Sequence, residues 1–164
     1  MRIIDADGHV QEKQIPWADL LEEPYRSRAP REVKDNRGFS FVMIDGRLTP
    51  KPVGKACSFV GAPRNRSPQA TTGMVDPVQR LKDMDVEGID AAVLFGTSPF
   101  LSLPFVEDKD LASAIARVYN NWLASYCNAD PRRLKGVALT AIQDPIEAVN
   151  ELRRAVEELK FVAV

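Results

Sequence analysis

Two rhythms of apolar and polar positions divide the chain. Up to about residue 75 the pattern is irregular. Arg2-Ile3-Ile4-Asp5-Ala6-Asp7 reads as a short apolar strand running straight into polar residues. A short helix is predicted around Trp17 to Leu21, and residues 31–49 read as a β-hairpin or small meander. There the β-rich run Phe39-Ser40-Phe41-Val42-Met43-Ile44 sits between the turn signals Asp35-Asn36-Arg37-Gly38 and Asp45-Gly46. Thr49 to Pro68 holds four prolines and two glycines, which marks a long irregular loop.

From residue 76 the rhythm becomes regular. Asp76-Pro77-Val78-Gln79 supplies an N-cap acid, a proline at the first helical position and a glutamine in the first turn. Val78, Leu81 and Met84 share a face, and Gly88 ends the helix. Ile89 to Phe95 is a nearly continuous apolar run, expected as a strand buried on both faces. Leu111, Ile115, Val118, Trp122 and Tyr126 follow at helical spacing. Asp130-Pro131 breaks the chain, and Gly136 to Ile142 predicts another strand. Asp144-Pro145-Ile146-Glu147 repeats the helix start, with Ile146, Val149, Leu152, Val156 and Leu159 as the expected inner face. Phe161 to Val164 begins a fourth strand.

Strands alternating with amphipathic helices imply right-handed βαβ units and a parallel sheet, hence an α/β fold. An open doubly wound sheet and one half of a (β/α)₈ barrel both fit this order. The final residues lie within an apolar strand, which favours the barrel, because a whole barrel needs about 250 residues. The expectation is therefore the N-terminal half of a TIM-type (β/α)₈ barrel with a β-hairpin insertion after the first strand. Residues 1–164 form a single partial domain, and residues 31–70 form the hairpin and loop insertion within it.

Composition narrows the function classes. Twenty-two basic residues against twenty-three acidic ones leave a net charge of −1, which gives a nucleic-acid or anionic-membrane surface no electrostatic support. No window approaches the roughly 20 apolar residues needed to span a bilayer. The N-terminus meets an acid too early to be a signal peptide. Cys57 and Cys127 lack metal-type spacing and read as reduced thiols, Cys127 packed on a helix. The expected setting is cytoplasmic, with a small-molecule substrate and a homo-oligomeric assembly, and without nucleic acid or membrane as partner.

In parallel α/β folds chemistry gathers at the C-terminal ends of strands. The candidates there are Asp5, Asp7 and His9 after the first strand, Thr97 and Ser98 after the second, and Gln143 and Asp144 after the third. His9 is the only histidine in the chain. In an extended segment residues i and i+2 point the same way, so Asp7 and His9 can aim at one ion. A carboxylate with an imidazole suits Zn, Mn or Fe. Spacing alone serves equally well a turn capped by the two side chains with the help of Gly8. Thr97 and Ser98, ahead of Pro99, read as turn formers before substrate contacts, and Asp144 as a helix cap. Arg64 and Arg66 read as solvated loop residues, although their guanidinium forks suit a substrate carboxylate. Neither a nucleophile elbow nor a Gly-rich phosphate loop is present.

Ile4-Asp5-Ala6-Asp7-Gly8-His9-Val10 resembles the opening of the amidohydrolase-related ("amidohydrolase 2") family, which includes aminocarboxymuconate semialdehyde decarboxylase and related aromatic-acid decarboxylases. Asp76-Pro77 through Arg80-Leu81-Lys82-Asp83-Met84-Asp85 to Gly88-Ile89-Asp90-Ala91-Ala92-Val93-Leu94 is similar to the same family. So is Asn120-Asn121-Trp122-Leu123 through Asp130-Pro131-Arg132-Arg133-Leu134 to the Asp144-Pro145 helix. The resemblance implies a metal-dependent hydrolase or carbon–carbon lyase acting on a small carboxylated or cyclic substrate. It also implies one divalent ion, Zn or Mn, with Asp7 and His9 falling on the family's His-x-His pair. Aspartate in place of the first histidine moves the preference from Zn toward Mn. The resemblance places the remaining ligands on later strands, so the chain alone is expected to be inactive. The other class that fits is a non-catalytic half-barrel binding or assembly module. The metal-pair reading expects the Asp7 and His9 side chains within about 5 Å of each other.

Overall fold

A computed structural model describes residues 2–36, 40–48, 73–97 and 102–164. In chain order the regular elements are β1 (Ile4–His9), α1 (Trp17–Leu20), β2 (Arg31–Lys34), β3 (Ser40–Ile44), β4 (Arg47–Leu48), α2 (Pro77–Glu87), β5 (Ala91–Phe95), α3 (Lys109–Cys127), β6 (Leu134–Gly136) and α4 (Pro145–Glu157). The Pro-rich stretch, with Cys57, Arg64 and Arg66, lies outside the described residues, as do Ser98 and Pro99.

Local chemistry explains the helix boundaries. Asp76 accepts the Val78 amide at 2.9 Å with Pro77 at the first helical position. Gly88 closes α2 in the left-handed region at φ 71°. Gln79 takes no part in the cap and instead donates to Asp83 at 2.8 Å. Asp144 accepts the amides of Ile146 and Glu147 at 3.1 and 3.2 Å to begin α4. Asp108 does the same for α3, accepting from Asp110 and Leu111.

β1, β5 and β6 form a parallel sheet in that order. A parallel bridge from Val137 to Ala163 then brings the last residues alongside the third strand. Each strand lies beside its predecessor. β2, β3 and β4 make a separate antiparallel sheet. Arg28 ties that sheet to the start of α3: its guanidinium donates to both Asp45 oxygens at 2.6 and 2.8 Å and to Asp108 at 2.7 Å.

The core gathers where α3 covers the parallel sheet. Leu111, Ala112, Ile115, Ala116, Tyr119 and Leu123 are buried with Ala92 and Leu94 of β5 and Leu134 of β6. Three expectations change here. β5 alternates between buried and half-buried residues instead of being buried on both faces, since the helices cover one face of the sheet. β1, by contrast, has one neighbour among the described residues and leaves Ile3 and Ile4 exposed, as an unpaired first strand of a half-barrel requires. The third strand lies earlier than expected, at Leu134–Gly136, and shares only Gly136 with the predicted Gly136 to Ile142 run, whose residues 137–141 continue as mostly buried but irregular chain. The stripe expected to face inward on α4 is largely solvent-facing, with Ile146 74% and Val149 50% exposed. α4 instead meets α3 through Ala155 and the buried Glu151.

Glu151 belongs to a polar seam. Asn120, fully buried on α3, donates through Nδ2 to Glu151 at 2.7 Å and to the Leu139 carbonyl at 2.9 Å. Its Oδ1 accepts the Leu139 amide at 2.8 Å. Arg154 completes the seam with two bonds to Glu151 and one to Asn121. Burial raises the Glu151 carboxyl, but the bonds from Arg154 and Asn120 outweigh it and hold the group below its ordinary value.

Candidate functional site

The mouth of the parallel sheet at the end of β1 is shaped by a bulge. Three residue steps from Asp5 to Gly8 face two from Ala92 to Leu94, so one extra residue is accommodated in β1. Such a bulge re-aims the side chains beyond it. Asp5 supports it by accepting the Asp7 amide at 3.0 Å. Gly8 permits it: a Cβ there would lie 3.0 Å from both Leu94 Cδ2 and the Val93 carbonyl oxygen.

At the bulge and just beyond it, Asp7 Oδ1 and His9 Nε2 lie 3.6 Å apart, with side chains 89% and 43% exposed. Metal–ligand bonds of about 2.0–2.2 Å place neighbouring donors of one ion about 3–3.5 Å apart. The pair is within a small rotamer adjustment of that separation. Its hard oxygen and borderline nitrogen fit a divalent ion such as Mn or Zn. The two side chains are therefore together on one side of the strand end, and Thr97 joins them from β5. Among the described residues no group of three or more His, Cys, Asp or Glu side chains is close enough to hold a metal.

His9 is held from several directions. Its ring lies beside Phe95, with centroids 6.2 Å apart. The Thr97 hydroxyl oxygen is 3.4 Å from Nδ1 and donates its proton to the Val10 carbonyl at 2.8 Å. The Thr97 amide in turn donates to the carboxylate of the buried Glu12. Arg80 of α2 donates to the His9 carbonyl and to the Gly73 carbonyl, which also accepts the Tyr126 hydroxyl at 2.6 Å. Burial pushes the Tyr126 hydroxyl up from its ordinary value.

Other candidates have structural work. Asp5 supports the bulge. Asp144 caps α4 and pairs with Lys109 at 2.8 Å, a bond that lowers its pKa. Gln143 donates to the carbonyls of Leu103 and Val106. Burial pushes the Cys127 thiol up to about 12, which leaves it inert as ligand or nucleophile. Sequence reasoning missed Glu12 and Arg80. Arg80 lies inside the family-like stretch quoted above, whereas Glu12 had no motif to flag it.

A family model described as an amidohydrolase matches residues 4–164. Gamma-resorcylate decarboxylase of Rhodococcus jostii (strain RHA1) is 40% identical over 83 residues, 51% of this chain and 25% of that enzyme. The chain thus spans about a quarter of the length of the curated relatives it matches. The crystal structure of 5-carboxyvanillate decarboxylase from Novosphingobium aromaticivorans DSM 12444, complexed with manganese and 4-hydroxy-3-methoxy-5-nitrobenzoic acid, is 26% identical with a TM-score of 0.59. That match covers 99% of this chain and 40% of the other. An amidohydrolase from Mycobacterium avium subsp. paratuberculosis K-10 gives a TM-score of 0.72 at 18% identity, over 94% of this chain and 46% of the other, and speaks to fold alone. No helix among the described residues is long and apolar enough to cross a membrane.

Proposed function

The chain belongs to the amidohydrolase family, and from that premise we propose that it supplies the opening strands and first two metal ligands of a decarboxylase for hydroxylated aromatic acids. The unreversed strand order supports a barrel, since the common doubly wound orders reverse within their first four strands. Coverage of 40–46% of the solved neighbours fits the N-terminal half of a (β/α)₈ barrel, with β2 to β4 as its insertion.

The observation that carries the proposal is the Asp7–His9 pair at 3.6 Å on the C-terminal end of the first strand. Asp7 offers an anionic oxygen and His9 a ring nitrogen, and the carboxylate moves the preference of the pair from zinc toward manganese. A divalent ion held by Asp7 and His9 would supply positive charge to a carboxylated substrate. His9 is kept in place by Thr97 and Phe95, and Arg80 anchors its backbone. In the overall reaction the ring–carboxylate bond breaks, CO₂ leaves and the ring carbon gains a proton. Decarboxylation is preferred to hydrolysis because the sequence-similar stretch belongs to gamma-resorcylate decarboxylases.

The test is metal analysis of the protein expressed from its complete reading frame, followed by CO₂ detection over a panel of hydroxybenzoic acids. One manganese per chain is expected, with CO₂ release that His9→Gln abolishes. Undiminished turnover in His9→Gln, or turnover of cyclic amides and esters without CO₂ release from any acid, would sink the proposal.

A further inference from the structure

We propose that Thr97 is a positioning residue for His9, whose hydroxyl oxygen accepts the Nδ1 proton and so leaves the Nε2 lone pair facing Asp7 at the strand mouth. The inference rests on the metal-site reading above and adds the group that selects the usable form of the ligand.

The argument is one of donors and acceptors. A threonine hydroxyl has a single proton, and at Thr97 it goes to the Val10 carbonyl at 2.8 Å. Toward His9 Nδ1, 3.4 Å away, the same oxygen can only accept. A neutral imidazole answering that acceptor carries its proton on Nδ1 and its lone pair on Nε2. In water a free histidine side chain prefers the opposite tautomer, so the arrangement selects against the default. The competitor is Asp7, which would draw a proton onto Nε2. Its carboxylate stands at 3.6 Å, outside hydrogen-bond range, and its side chain is 89% exposed. Thr97 is the better placed of the two: its amide is pinned by the Glu12 carboxylate and its hydroxyl by Val10, so its oxygen has little freedom to leave. Ligand histidines commonly use a partner on the second nitrogen in this way.

His9 is the sole histidine of this sequence, and in the protein expressed from its complete reading frame its ring signals are assigned by their loss in His9→Gln. The experiment is a long-range proton–nitrogen correlation spectrum of nitrogen-15-histidine-labelled, metal-free protein in alkaline buffer, where an ordinary imidazole is neutral. Wild type and Thr97→Ser, which keeps the hydroxyl, should show a protonated Nδ1 and a bare Nε2. Thr97→Val, which keeps the shape without the oxygen, should revert toward the Nε2–H form. A protonated Nε2 in wild type, or an unchanged spectrum in folded Thr97→Val, overturns the assignment. The wild-type spectrum decides the matter even if the valine variant fails to fold. Titration with Mn²⁺ alone is the separate arm. Broadening of the His9 signals at a concentration about ten- to a hundredfold higher in Thr97→Val than in wild type supports the role. Equal sensitivity in the two proteins counts against it. Wild-type signals indifferent to Mn²⁺ would remove the metal reading while the tautomer result still stood for Thr97.

Discussion

Asn120→Ala tests the polar seam that fixes the end of the third strand. Asn120 is fully buried, and its side chain makes three hydrogen bonds, two to the backbone of Leu139 and one to Glu151. Truncation leaves the Leu139 amide and carbonyl without those partners in a residue only 7% exposed. Each orphaned buried group costs about 1–3 kcal/mol. Glu151 keeps its two bonds to Arg154, so its charge stays compensated and the lost third bond adds about 1 kcal/mol. The expected total is about 3–7 kcal/mol, a large share of the ~5–15 kcal/mol typical of a domain. Urea unfolding followed by tryptophan fluorescence suits the measurement. Trp122, two residues along, packs between Tyr119 and Tyr126 with ring centroids 6.1 and 6.0 Å away. The midpoint should fall sharply with an unchanged slope. A loss below about 1 kcal/mol would mean that water or local rearrangement satisfies Leu139, and the seam would then not be what holds the strand end.

Three further outcomes are expected. The Asp45 and Asp108 carboxyls are held below their ordinary values by hydrogen bonds from Arg28, so their contribution is complete above the usual carboxylate range and lost as pH falls through the lowered folded values. Wild type should therefore lose stability more steeply than Arg28→Ala as pH falls from about 5 toward 2, and parallel urea-midpoint curves would refute the triad. Gly136→Ala should cost about 1–3 kcal/mol in urea unfolding, because its Cβ would come within 2.6 Å of the Phe161 ring; a neutral result would show that Phe161 moves freely. The exposed stripe of Ile146, Val149 and Val156 should drive self-association, and light scattering should report a smaller particle for Ile146→Glu/Val149→Lys than for wild type, whereas equal sizes would point to another surface.

What could be read from the sequence was what is chemically local. Asp76, Gly88 and Asp144 act within one turn of where they stand, and each occupies the cap expected of it. The Asp7–His9 pair was legible for the same reason, since a two-residue spacing in extended chain already brings side chains to one side. Burial was less legible because it depends on what the rest of the fold brings. The apolar positions of α4 are periodic, yet the face turned to α3 is the one bearing Glu151 and Ala155, joined by a hydrogen-bonded seam that hydrophobic periodicity cannot register. The β1 bulge also left no pattern beyond Gly8.

The site divides along the same line. Its candidate ligands come from one tripeptide, whereas the groups that aim them come from far along the chain. Thr97 reaches His9 from 88 residues away and Arg80 from 71. The candidate pair is thus set by β1 alone, but its alignment requires β5 and α2 to be docked in register. Because β1 is an edge with a single neighbour among the described residues, the contact from β5 is also what keeps the strand end from fraying. A change that shifts β5 by one residue would keep Asp7 and His9 in the chain and still remove Thr97 from Nδ1. Capacity to bind a metal should therefore follow the integrity of the β1–β5 pairing more closely than the overall helix content, which a circular dichroism signal dominated by α3 would report unchanged.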